Sequence, residues 1–208
     1  MTKYLTRSFC FIIVIVVLSS CTPEKIIGIE VPQNSHLPNI VRINVPHISQ
    51  NDNYSCASTS AAMAISSYIG LFEKPLDKEE SWIISKSNKF IIRNFGNDVS
   101  ALKRLVNYYG YSGEFVNKIG IYNLKYLLSK GVLVVLFIRP NLDMQSTHAI
   151  LATVYDEANE KVFIEDPSNK IKVLSFNELE KHWNAILSIP LSRTYQAGFI
   201  IYPKKEEI

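Results

Sequence analysis

Two side chains in the first third of the chain carry the most pointed chemistry. Gln50 sits in a polar loop, "SQNDNYS", and Cys56 follows it six residues later. Cys56 opens a run of small and apolar residues, "CASTSAAMAISSYIG", that reads as a helix from Cys56 to Ile69. Ser55 is its expected N-cap and Gly70 its stop. A cysteine at a helix N-terminus lies near unpaired N–H groups and the positive end of the helix dipole. Both favour thiolate over thiol. A neutral amide just upstream, such as Gln50, can donate to a developing oxyanion without taking the thiol's proton.

A thiolate nucleophile also needs a proton acceptor, normally histidine. Four histidines are available: His36, His47, His148 and His182. His148 opens the apolar segment "HAILATVYD", a strand that a turn "EANE" joins to "KVFIEDP" in a hairpin. The return strand ends at Asp166. The hairpin therefore brings His148 and Asp166 near one another, where the carboxylate would hold the imidazole's orientation and stabilise its charged form. His36 lies in a polar leader and His182 on a late short helix. His47, in the lead-in to the nucleophile loop, is a rival base. Each residue also has a structural reading: Cys56 as a small buried side chain, His148 as a core histidine, Asp166 as a turn cap before proline, Gln50 as a surface residue. Trp82, Trp183 and the Tyr108–Tyr109 pair read as core or cleft wall.

The cysteine count sharpens the choice. The chain has three: Cys10, Cys21 and Cys56. Lys3 and Arg7 precede an apolar run, Phe9 to Leu18, that is too short for an ordinary membrane-spanning helix and reads as a secretory signal over residues 1–20. Its end, Leu18-Ser19-Ser20-Cys21, resembles the lipobox of bacterial lipoproteins. That resemblance implies cleavage before Cys21, lipid on its thiol, and export to the cell envelope. With Thr22 in the following position it implies the outer membrane if the envelope is Gram-negative. Cys56 would then be the one thiol left, with no internal disulfide partner.

The elements that must position these residues follow from period and punctuation. Residues 21–39, with Pro23, Pro32 and Pro38, read as a tether, residues 40–203 as one domain, and 204–208 as a tail. Within the domain, "IVRINVPHI" reads as a strand or extended lead-in. Further helices are expected over "LDKEESWIISKS", over "DVSALKRLVNYYG" with Asp98 or Ser100 as cap, over "IYNLKYLLSKG", and over "SFNELEKHW" capped by Ser175. Strands are expected at "VLVVLFIRP", in the hairpin above, and at "AGFIIYP". Helices first and antiparallel strands second argue an α+β fold with helices packed on one side of a sheet. Apolar content of 47% and charged content of 20% are those of a folded domain. The formal charge of +3, falling to +1 once Lys3 and Arg7 leave with the signal, gives no nucleic-acid footprint. No zinc-ligand spacing and no GxxxxGK[ST] loop is present, so no metal or nucleotide cofactor is implied.

Taken together, Gln50, Cys56, His148 at the head of an apolar strand, and Asp166-Pro167 after the hairpin resemble the papain-like peptidases typified by bacteriocin-processing (double-glycine leader) peptidase domains. The resemblance covers roughly residues 44 to 202. It implies a papain-like fold, Cys56 as nucleophile, His148 as general base and acid, Asp166 as orienter and Gln50 in the oxyanion hole. The best-known members of that family front an exporter with membrane spans and an ATPase. This sequence instead leads to the expectation of an exported, tethered, stand-alone domain acting on a peptide or protein. The same four residues would also serve an acyl or peptidyl transferase or an amidase. A fold that kept the cleft and lost turnover would be a peptide-binding module.

Overall fold

A computed structural model of the chain describes residues 24–26, 29–32, 36–50, 52–85, 99–140, 147–188 and 191–204. Residues 1–20, read as a secretory signal, Cys21, Asp98 and residues 205–208, read as the end of a tail, lie outside the described residues. Among the described residues no helix is long and apolar enough to cross a membrane.

The helix expected after Ser55 is α1, Cys56–Tyr68, and every residue from Ala57 to Ser66 is buried. Alanines and serines make this possible, since small side chains let neighbouring elements approach on all faces. Its end is a Schellman turn: Gly70 N–H donates to Ser67 O and Leu71 N–H to Ser66 O, with Gly70 at φ +74°. Its start differs from expectation, because the Ser55 side chain makes no capping hydrogen bond. The loop is ordered instead by Asp52, whose Oδ1 accepts from Tyr54 N–H and Ser55 N–H, both at 2.7 Å.

Helices α2 (Lys78–Ser85) and α3 (Val99–Tyr108) pack on α1 and on each other. Asp77 caps α2 through Glu80 N–H at 2.8 Å. Ser100 lies inside α3, where its hydroxyl accepts from Arg104, so it is not the cap. Helix α4 spans Gly120–Ser129. Helix α5 spans Phe176–His182 and starts at the expected cap Ser175, which the structure shows in a capping box with Glu178.

One antiparallel sheet of seven strands organises these helices. Its order is β4 (Tyr111–Val116), β11 (Gly198–Pro203), β5 (Leu133–Ile138), β6 (His148–Asp156), β7 (Lys161–Asp166) and β8 (Asn169–Ser175), and β3 (Ile40–Arg42) pairs with β6 beyond the end of β5. Strand β5 is buried throughout, as its unbroken apolar run requires. The β6–β7 hairpin closes through the turn at Glu157–Glu160, with Glu160 at φ +51°.

Four stretches form strands that periodicity did not single out. Strand β4 contains Gly113, which reads as a breaker. The strand needs it, because a Cβ there would lie 2.3 Å from the Phe199 ring of β11. Strand β8 is lysine-bearing and stands at the sheet's edge, where charge suits an exposed ladder. Strands β9 (Asn184–Ser188) and β10 (Leu191–Tyr195) form a separate hairpin. Residues read as tether form another, β1 (Glu24–Ile26) with β2 (Ile29–Val31). Its last residue, Val31, belongs to the core, and Pro32 O accepts from Tyr122 Oη at 2.8 Å. The β-branched residues of "KIIGIEV" outweigh the prolines on either side.

Candidate active site

Three cross-links bring the site together. The first sets the height of α1 on the sheet: Ser60 Oγ donates to Ala149 O at 3.2 Å. Cys56 is four residues before Ser60, so it shares that helix face one turn closer to the N-terminus. Ala149 follows His148, and the turn therefore carries Cys56 toward the start of β6. The second cross-link joins β6 to β7: His148 Nε2–H donates to Asp166 Oδ1 at 2.7 Å. The third joins the loop before α1 to the turn after β7: Gln50 N–H donates to Pro167 O at 2.8 Å. Residues distant in sequence thus meet through backbone and side-chain bonds supplied by rigid elements.

With Nε2 held by Asp166, Nδ1 is the ring nitrogen left for the Cys56 thiol, which lies close enough to favour charge on the imidazole. The His148 side chain is 14% exposed and Asp166 is fully buried. Burial opposes charge on the imidazole, but the hydrogen bond to the Asp166 carboxylate and the nearness of Cys56 outweigh it, raising His148 to about 9. Burial likewise pushes Asp166 up. Hydrogen bonds from His148 and Ser168, with the Lys172 ammonium beside Oδ2, overcome that and hold its carboxyl well below the usual carboxylate range. Ser168 bonds Oδ1 twice, from its backbone N–H at 2.9 Å and its hydroxyl at 2.7 Å. Lys172 Nζ lies 2.8 Å from Oδ2, a contact of charge with charge rather than a well-directed hydrogen bond.

Gln50 is half-buried. Its Nε2 donates to Asp52 O at 2.6 Å, which leaves the second amide proton for another acceptor, and its buried Oε1 has no hydrogen-bond partner among the described residues. Because Ser55 supplies no side-chain cap, it does not occupy the first-turn N–H groups of α1. An amide proton, a helix start without a Ser55 side-chain cap, a cysteine at that start and an Asp-bound imidazole are the parts that acyl transfer through a thioester needs.

The other candidates are placed elsewhere. His47 spends both ring nitrogens: Nδ1 on Glu165 Oε2 at 3.0 Å and Nε2 on Ser49 Oγ at 3.1 Å. His182 Nδ1–H donates to Arg139 O, and His36 is exposed. Trp183 is core, with its indole N–H on Ala197 O. Tyr108 and Tyr109 meet edge to face, Tyr108 being exposed. The Trp82 side chain lies outside what the structure describes. Ser168 and Lys172 were not anticipated. The step Asp-Pro-Ser is a local signal for a turn in which the aspartate accepts from the residue two ahead. Lys172, on a strand not foreseen, left no signal. Among the described residues no three His, Cys, Asp or Glu side chains converge as a metal site would require.

Solved structures share this fold. A C39-like peptidase from Bacillus anthracis superposes with a TM-score of 0.57 at 18% identity, covering 81% of this chain and 100% of that one. A double-glycine-motif protease from an AMS/PCAT transporter, crystallised with a leader peptide, gives 0.55 at 13% identity, covering 79% and 95%. The peptidase domain of Streptococcus ComA gives 0.52 at 13% identity, covering 78% and 99%. No curated protein sequence matches the chain. Residues 42–189, most of the chain, match the Peptidase_C39 like family. With its papain-like fold of helices on an antiparallel sheet, the chain belongs to that family and is a cysteine-type peptidase.

Proposed function

We propose that this peptidase works through Cys56, His148 and Asp166, with Gln50 as oxyanion donor, and that it cleaves peptides as a lipoprotein held to the cell envelope by Cys21. The observation that supports the reading is the 2.7 Å bond from His148 Nε2–H to Asp166, which fixes the ring through one nitrogen and leaves Nδ1 for a thiol.

The Cys56 thiolate attacks the substrate carbonyl carbon. The oxyanion so formed takes hydrogen bonds from Gln50 Nε2–H and the Cys56 backbone N–H. The imidazolium gives its Nδ1 proton to the leaving amine as the C–N bond breaks, leaving a thioester. His148 then takes a proton from water, which attacks the thioester and restores the thiol. Asp166 keeps the ring oriented and stays ionised throughout. A peptide substrate is supported by the family and by the leader peptide bound to the AMS/PCAT protease. The proposed address differs from that of a transporter domain, so the substrate would be an exported peptide or envelope protein.

The test is a peptide-library digest read by mass spectrometry, with Cys56→Ala and His148→Ala beside the wild type. Fragments gaining one water, lost in both variants, support the reading. Products joined to an added amine would mean a transferase, and retention of intact peptide without cleavage would mean a binding module.

A further inference from the structure

Asp166 is fully buried, and a buried carboxylate is costly unless its oxygens are satisfied. Oδ1 already accepts from His148 and twice from Ser168. Oδ2 faces Lys172, which stands on edge strand β8 across from Ile164 and is 46% exposed at its side chain. One carboxylate is therefore gripped from both ends by cations, an ammonium on one oxygen and an imidazole able to carry charge on the other.

Two consequences follow from Coulomb's law and geometry. The ammonium fixes the carboxylate's rotation, so that Oδ1 stays aimed at Nε2. It is also a like charge to the imidazolium across one shared anion, and so weakens the hold of Asp166 on the ring's proton. A general acid that keeps its proton too strongly protonates a leaving amine poorly.

Resting on the proposed roles of Cys56, His148 and Asp166, we propose that Lys172 is a positioning residue: it locks Asp166 Oδ2 and restrains imidazolium formation at His148, keeping the ring a usable acid. Among the described residues, the other groups around the pair do not supply this effect. Cys56 on α1 carries no positive charge, Ser168 is neutral, and Ile138, opposite on β5, is apolar. Glu165 is engaged by His47, and Asp52 holds the N–H groups of Tyr54 and Ser55.

The test follows alkylation by iodoacetate in the full chain, read by mass spectrometry on the peptide containing Cys56. An anionic reagent is drawn by the imidazolium, so its rate falls as His148 loses its proton. In the wild type that falling limb belongs near pH 9. Lys172→Met should move it up by about one pH unit, since removing a like charge favours the charged ring. Lys172→Gln, the fallback should the methionine variant not fold, should do the same, and Lys172→Arg should leave it in place. A limb unmoved or lowered in the neutral variants overturns the proposal, even if their melting temperature falls, because that is the mark of a lysine that only neutralises a buried acid. A wild type with no falling limb, or one that His148→Ala leaves intact, instead overturns the Cys56–His148 pairing itself.

Discussion

At the scale of single residues, the site is an arrangement of charge and hydrogen bonds whose strength pH can read. His148 titrates at about 9 in the folded chain against 6.5 for an unperturbed histidine. Its contribution to stability is whole below about pH 6.5 and is lost as the pH rises through 9. Asp166 has the opposite sense. Its contribution is whole above the ordinary 3.8 and is lost as the pH falls through its lowered folded value. The melting-temperature difference between wild type and His148→Ala should therefore shrink from pH 6.5 to 9.5, which calorimetry across that range checks. Catalysis gives a second residue-scale prediction. Gln50→Ala should lower kcat by roughly 10²–10³, as loss of one oxyanion donor does. Unchanged turnover would remove Gln50 from the mechanism. The types and spacing of Gln50, Cys56, His148 and Asp166 were readable from the sequence, because each has a chemistry few other residues share. Ser168 and Lys172 were not. Hydroxyls and lysines are abundant, and only the folded turn after Asp166 shows which of them meets the carboxylate.

At the scale of elements, what was legible was what periodicity and caps encode. Helix α1 ends at Gly70 in a left-handed conformation, and α5 starts at Ser175 with its capping box. Hairpin β6–β7 follows from two apolar runs and a short polar turn. What escaped were strands whose patterns are set by their partners. Strand β4 depends on Gly113 admitting the Phe199 ring, and β8 is an edge whose lysines hide the alternation. These readings predict distinct costs. Gly113→Ala forces a methyl group into an occupied space and should destabilise by about 1–3 kcal/mol. Ser175→Ala removes one cap and should cost about 1 kcal/mol. Chemical denaturation of both variants checks the order. Equal and negligible losses would mean that β4 and α5 tolerate more repacking than the contacts imply.

At the scale of the whole molecule, one sheet carries both the histidine and its acid, while the cysteine rides on a helix bonded to the same strand. Under the proposed roles, Cys56 and His148 ride on elements joined by that bond, and loop movement alone would not separate them. The β1–β2 hairpin shortens the span that was read as a free tether, since its last residue is already buried in the core. If Cys21 carries lipid, the domain should sit close to the membrane surface. Expressed with its signal, the chain should fractionate with membranes and incorporate a palmitate analogue, and Cys21→Ala should lose the label. Labelling that survives the substitution would contradict the anchor.

The central claim is that Cys56 and His148 form a working ion pair. Its most direct measurement is the rate of iodoacetamide alkylation at the Cys56-containing peptide from pH 5 to 10, in wild type and in His148→Ala. The account predicts fast alkylation that persists well below pH 7 and is lost in the variant. A rate that rises only through the ordinary thiol range near ~8.5, the same in both proteins, would contradict it.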